Sequence, residues 1–274
     1  MNASEATTVA VRRDIPFHVV DGEALLLDVY EDTGTTGPKP AAVLVRGGGF
    51  TVGDKGEFAR HAIDLAAEGY LVVEPQYRLA PEHTFPAALV DVKAAIEWCR
   101  TEAEQVDPER VAAVGHSAGA NLAVLAAATA DAPALEPEQY PGVSSALSVA
   151  VGYSGIYDFG MGLDDRRVAY LGGSPDDLPA AYDLASPVEQ ADTSMPPTLL
   201  LHGEDDGVVD PQQSAVLAET LEPLTTVDHR TVAGGHGFPF EGGHYAETYE
   251  RTTDFLARQL SGPGRDMPDR TDDY

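Results

Sequence analysis

The chain has 274 residues, 43% of them apolar, a single cysteine and a formal net charge of −28. That length and apolar share suit one α/β domain with a full core, and no apolar run is long enough for a membrane-spanning helix. So acidic a chain offers no basic patch from which phosphate counterions could be displaced, which excludes nucleic-acid binding. Lysine is confined to Lys39, Lys55 and Lys93, while acidic residues cluster in stretches such as Asp176-Asp177. Such a surface repels itself at low ionic strength and is tolerated once salt screens charge over a few ångströms. The composition therefore predicts a halophilic protein of a salt-rich cytoplasm, with an ordinary acidic mesophilic enzyme as the alternative. Cys99 has no partner for an internal disulfide, and its neighbours Ile96 and Trp98 predict a helix packing position. The N-terminal stretch lacks a basic lead and an apolar run, so no secretory leader is expected.

In chain order, residues 15–20 and 24–30 alternate around Asp21-Gly22, which predicts a β-hairpin preceded by about 15 residues. A Thr/Gly/Pro loop at 31–40 leads into an apolar strand at 41–45. Residues 58–68 read as a helix stopped by Gly69, 70–76 as a strand, and 86–100 as a helix with apolar positions at helical spacing. Residues 107–110 turn the chain into a strand at 111–114, and 121–130 continues as a helix rich in Ala and Leu. Further strands are expected at 147–153, 198–201 and 226–232, with a last helix opening near His244. The stretch 155–195 is the least regular. Its aromatics, among them Tyr157, Phe159, Tyr170 and Tyr182, read equally as a pocket lining or as a satellite cluster under a long loop. Residues 261–274 read as a loosely held acidic tail, leaving 1–260 as the single domain.

Chemistry concentrates where strands end. Gly115-His116-Ser117-Ala118-Gly119 stands where a strand hands over to a helix, a turn that holds a serine in a strained conformation with its hydroxyl exposed. The 41–45 strand runs straight into Arg46-Gly47-Gly48-Gly49-Phe50, whose glycines leave backbone N–H groups unshielded for a developing oxyanion. The 198–201 strand ends in His202-Gly203-Glu204-Asp205-Asp206, and the 226–232 strand leads into Gly234-Gly235-His236-Gly237-Phe238. Serine, acid, histidine is the chain order of the α/β-hydrolase triad, and differs from the orders of chymotrypsin and subtilisin.

On the segments RGGGF at 46–50, YRLAPEHTFPAAL at 77–89, GHSAG at 115–119, LHGEDDGVV at 201–209 and GGHGF at 234–238, the chain resembles the α/β-hydrolase superfamily. It is most similar there to small esterases of the hormone-sensitive-lipase group and to feruloyl-esterase-like carboxylesterases. The resemblance implies a mostly parallel eight-stranded sheet flanked by helices, with a small cap or loop insertion after strand 6. It further implies hydrolysis of small carboxylic esters without a cofactor. The long N-terminal cap of many relatives has no counterpart in the short lead here, which suggests an open site.

The resulting candidates are Ser117 as nucleophile, His236 as base, and a carboxylate on the 202–209 loop. The family pattern His-Gly-x-x-Asp selects Asp206 and leaves Asp205 as a turn residue. Backbone N–H groups of Gly48, Gly49 and Ala118 would form the oxyanion hole, and Arg46, Phe50 and His116 are candidates for substrate binding. Arg46 departs from the family, which usually has histidine there. It either pairs with an acid such as Asp54 or Glu57 and braces the loop, or enters the pocket to recruit an anionic group. His244 is expected on the surface, His202 in packing or loop hydrogen bonds, and His83 in a structural hydrogen bond. No metal site is expected, since the histidines lack H-x-x-x-H or H-E-x-x-H spacing. An amidase or formamidase on the same scaffold, and a non-catalytic binding protein of that fold, are the alternatives. The sequence leaves the oligomeric state open, a homodimer included.

Overall fold

The computed structural model describes residues 7–130 and 132–261. The predicted acidic tail falls outside the described residues, apart from Ser261. The expected hairpin forms from β1 (Val9–Val20) and β2 (Glu23–Asp32), paired antiparallel with Val20 opposite Glu23. Asp21 and Gly22 both take positive φ, 53° and 85°, as a two-residue hairpin turn requires. The first strand starts at Val9, earlier than expected. Its leading half is exposed and interrupted by a register shift between Arg12 and Ile15, so it carries no apolar alternation to read.

The remaining strands are β3 (Lys39–Val45), β4 (Leu71–Pro75), β5 (Val106–His116), β6 (Val149–Tyr153), β7 (Thr198–Gly203) and β8 (Val227–Val232). They join the hairpin in one eight-stranded sheet of order β1-β2-β4-β3-β5-β6-β7-β8, parallel from β4 onward. Residues 107–110, expected as a turn, belong to β5 on the far side of a register shift opposite Lys39 and Ala41. Successive residues of the central strands face opposite ways. Val43, Val45, Ala113 and Leu200 pack with α2 (Ala87–Thr101) and α3 (Ala118–Ala128). Ala42, Leu44, Val114 and Leu201 pack on the other face with α1 (Ala59–Ala67) and α8 (Tyr245–Leu260). Helices therefore cover both faces.

The stretch after β6 folds into three short helices, α4 (Asp165–Leu171), α5 (Pro179–Ala185) and α6 (Pro187–Gln190), followed beyond β7 by α7 (Gln212–Leu221). Tyr157, Phe159, Tyr170 and Tyr182 are buried in the main core cluster itself. They belong to that core and do not form a satellite cluster under the loop. Cys99 is fully buried in α2, and burial pushes its thiol up to about 12. Among the described residues, no helix is long and apolar enough to cross a membrane.

The three lysines are drawn inward. Lys39 donates to the Asp32 carbonyl at 2.8 Å, Lys55 lies between Asp14 and Asp28, and buried Lys93 pairs with Glu136. Next to that last pair, burial and the Glu136 carboxylate push the Glu97 carboxyl well above the usual range, against the pull of Lys93 and Arg100. Glu97 is then protonated in the fold where the unfolded chain is ionised. Its contribution is complete below the ordinary carboxylate range and is lost as pH rises through the raised value. Glu97→Gln keeps a neutral side chain of the same shape at every pH. It is expected to match wild type near pH 4 and to exceed it by about 1–2 kcal/mol at pH 9, since a tenfold change in proton affinity is worth ~1.4 kcal/mol. Urea midpoints at the two pH values test this, and parallel pH dependences in both proteins would refute it.

Candidate active site

Parallel strands bring their carboxyl ends to one edge of the sheet, and that is where open α/β sheets bind ligands. Val45 pairs with Gly115, His116 with Tyr153, Tyr153 with Leu201, and Gly203 with Val232. The glycine loop, Ser117, the Asp206 loop and the His236 loop thus leave adjacent strands at the same edge.

Ser117 stands between β5 and α3 with φ 56° and ψ −120°, a conformation that L residues rarely adopt. Its N–H donates to the Tyr153 carbonyl at 2.8 Å, which ties the turn to the neighbouring strand. The glycines on either side are demanded by crowding. A Cβ on Gly119 would lie 2.0 Å from the Val45 carbonyl oxygen, and one on Gly115 would lie 2.1 Å from that of Gly119.

His236 Nε2 lies 2.9 Å from Ser117 Oγ, and His236 Nδ1 lies 2.8 Å from Asp206 Oδ2. The Asp206 side chain is fully buried, and burial alone would raise its carboxyl. Hydrogen bonds from His202, His236 and the N–H groups of Val209 and Val208 overturn that effect and hold it well below the usual carboxylate range. An ionised Asp206 only accepts, so His236 donates from Nδ1 and its Nε2 is left to accept the serine proton. His202 completes the cradle. Its Nε2 faces two acceptors, Asp206 Oδ2 at 3.2 Å and the Val209 carbonyl at 3.0 Å, so it carries the proton. Its Nδ1 then accepts from Ser214 Oγ at 2.6 Å. Asp205 is exposed and contributes only its backbone, while His244 stands at the start of α8 with its ring beside Gly234.

In the glycine loop, Gly47 N–H is spent on Glu57 Oε2 at 2.6 Å. The N–H groups of Gly48 and Gly49 have no acceptor among the described residues. Ala118 opens α3, where first-turn N–H groups have no intrahelical acceptor. The glycine loop packs on the serine turn: a Cβ on Gly47 would lie 3.2 Å from Ser117 Cβ.

The three side chains expected to bind substrate all turn inward. Arg46 is 2% exposed; its Nη1 donates to the carbonyls of Gly47 (2.9 Å) and Val52 (2.7 Å), and its guanidinium lies 4.1 Å over the Tyr77 ring. It braces the loop through carbonyls and an aromatic face, with no hydrogen bond to Asp54 or Glu57. Phe50 is fully buried. His116 bridges Glu57 Oε1 at 2.9 Å and the His236 carbonyl at 2.9 Å. Burial would raise the Glu57 carboxyl, but the hydrogen bond to His116 leads the contacts that lower it below its usual range. Glu57 thereby links the glycine loop to the histidine loop. In the sequence alone Glu57 stands out only as a partner for Arg46. The His83 ring makes no hydrogen bond among the described residues, contrary to expectation. No group of side chains among the described residues is arranged to hold a metal ion.

A mostly parallel sheet of this strand order, presenting serine, acid and histidine in that order at its carboxyl edge, defines an α/β-hydrolase. The BD-FAE family profile matches residues 27–221, and the chain belongs to that family. It is similar to Esterase LipC of Mycobacterium tuberculosis, 30% identical over 238 residues that cover 81% of this chain and 59% of LipC. The chain therefore spans less than two thirds of that relative's length. A truncated carbohydrate esterase from gut microbiota shares the fold with a TM-score of 0.81 at 22% identity, covering 95% of this chain and 99% of the other. Propionate-bound esterase 2 of Thermogutta terrifontis gives a TM-score of 0.78 at 25% identity, covering 95% and 97%.

Proposed function

We propose that the chain is a serine carboxylesterase for small, short-acyl esters. The observation that carries this reading is the line of contacts from Ser117 Oγ through His236 to Asp206, at 2.9 and 2.8 Å. His236 takes the serine proton as Oγ attacks the ester carbonyl, and Asp206 stabilises the imidazolium that results. The N–H groups of Gly48, Gly49 and Ala118 hold the oxyanion, each such donor being worth about 10²–10³ in rate. His236 returns its proton to the leaving alcohol. It then activates the water that hydrolyses the acyl-enzyme.

The names of similar proteins support ester cleavage, and the propionate in the Thermogutta structure is the size of acyl group proposed. Val52 and Val208, on the glycine and acid loops, are exposed apolar side chains. The acidic composition and inward-drawn lysines support work in a salt-rich cytoplasm. The test is hydrolysis of p-nitrophenyl esters from acetate to decanoate in molar KCl, with Ser117→Ala alongside. Turnover peaking at short chains and abolished by the substitution is expected. A folded wild-type protein without serine-dependent turnover would overturn the reading and turn the search to amides.

A further inference from the structure

Besides Arg46, a second cation reaches the glycine loop: Arg166, from the segment after β6. Helix α4 starts with Asp164 capping it, its carboxylate accepting from Arg167 N–H at 2.9 Å. Arg166 and Tyr170 are four residues apart and share one face of the helix. Tyr170 is fully buried, stacks on Phe50 with centroids 3.8 Å apart and planes 9° apart, and its carbonyl accepts from Phe85 N–H at 2.7 Å. That stack fixes the helix against the glycine loop. One turn earlier, Arg166 lies over the residue preceding Phe50: a Cβ on Gly49 would sit 2.8 Å from Arg166 Cδ and 3.1 Å from its Nη1. Gly47, two residues back, packs on Ser117. Gly47 and Gly49 are only two residues apart, so the guanidinium and the nucleophile flank the same short loop.

Arg166 is exposed and has no ion pair or hydrogen bond among the described residues. Asp165 adjoins it in sequence but forms no ion pair with it, and Asp164 is committed to Arg167, whose Nε lies 3.5 Å from its carboxylate. In a chain of net charge −28, a guanidinium left without a carboxylate beside the glycine loop is available to a ligand. Its planar fork matches a carboxylate bidentately. We infer that Arg166 selects esters carrying a carboxylate a few bonds from the scissile carbonyl, such as half-esters of short dicarboxylic acids. This rests on the esterase reading above. The long-range repulsion of an anion by the acidic surface is screened in molar salt, where the Debye length is about 3 Å, which leaves the bidentate contact itself to distinguish an anionic ester.

Matched substrates test it in molar KCl by pH-stat. Monomethyl glutarate is compared with methyl pentanoate for a carboxylate on the acyl side, and O-acetylglycolate with ethyl acetate for one on the alcohol side. Wild type is expected to favour the anionic member of one pair in kcat/KM. Arg166→Gln should lose at least about ten-fold more on that ester than on its neutral counterpart, mostly in KM, with Arg166→Lys recovering part of the loss. Neutral esters turning over with no anionic preference, or equal losses on both members in Arg166→Gln, would overturn the inference and leave the esterase reading standing. Failure of wild type on all four esters would overturn both.

Discussion

Replacing Ser117 with glycine is expected to abolish turnover and yet leave a fold more stable than that of Ser117→Ala. The rate loss follows from removing the nucleophile of a triad, about 10⁶-fold in kcat by comparison with other serine hydrolases. The stability difference follows from the backbone. At φ 56° and ψ −120°, Ser117 occupies a region that suits the first central residue of a type II′ turn, where glycine is preferred. A residue with a Cβ held there costs roughly 1–3 kcal/mol, retained only because the surroundings fix it. Alanine keeps that strain and loses the hydroxyl, so it gains nothing. Glycine releases the strain at an unfolded-state entropy cost of about 0.5–1 kcal/mol. The net advantage of glycine over alanine is therefore about 1 kcal/mol, or ~2–4 °C in melting temperature for a chain of this size. Thermal unfolding of the two variants side by side decides it. A glycine variant melting at or below the alanine variant would show that the turn stores no strain.

The groups at the strand ends were legible in the sequence because their chemistry restricts residue type. A nucleophile turn needs a serine between glycines, an oxyanion loop needs residues without side chains, and the carboxylate must follow its strand at a fixed offset; Ser117, Asp206 and His236 indeed lie within hydrogen-bond distance in series. Legibility stopped where the question became which way a side chain points. Arg46, Phe50 and His116 adjoin these loops in sequence, but each lies buried, held by carbonyls, an aromatic stack or Glu57. Arg166 carries no motif at all. Only the burial of Tyr170 against Phe50 puts it over Gly49, and that contact joins segments more than a hundred residues apart. Among the elements, α7 was not anticipated. The polar ends of β1 and β5 escaped notice because both lie beyond register shifts, where alternation breaks down.

Gly119→Ala sets two effects against each other and predicts a large loss of stability. Gly119 is the second residue of α3, and in a free helix alanine would be better there by about 1 kcal/mol. In this fold its Cα faces β3: an added Cβ would meet the Val45 carbonyl oxygen at 2.0 Å and that of Arg46 at 2.3 Å. Both are backbone atoms, and Val45 is held by its pairing with Gly115 of β5, so neither can swing aside as a side-chain end could. Relief requires α3 to back away from the sheet, which opens packing along a helix buried over almost its whole length. A backbone overlap of this kind belongs with the exceptional substitutions, about 4 kcal/mol or more, and is expected to leave little folded protein at 37 °C. Gly242→Ala is the control, since a Cβ there meets nothing within 4 Å, and it should stay within about 0.5 kcal/mol of wild type. Soluble yield and urea midpoint measure both. If Gly119→Ala were as stable as Gly242→Ala, the close approach of α3 to β3 would be wrong, and with it the account of why the serine turn needs a glycine there.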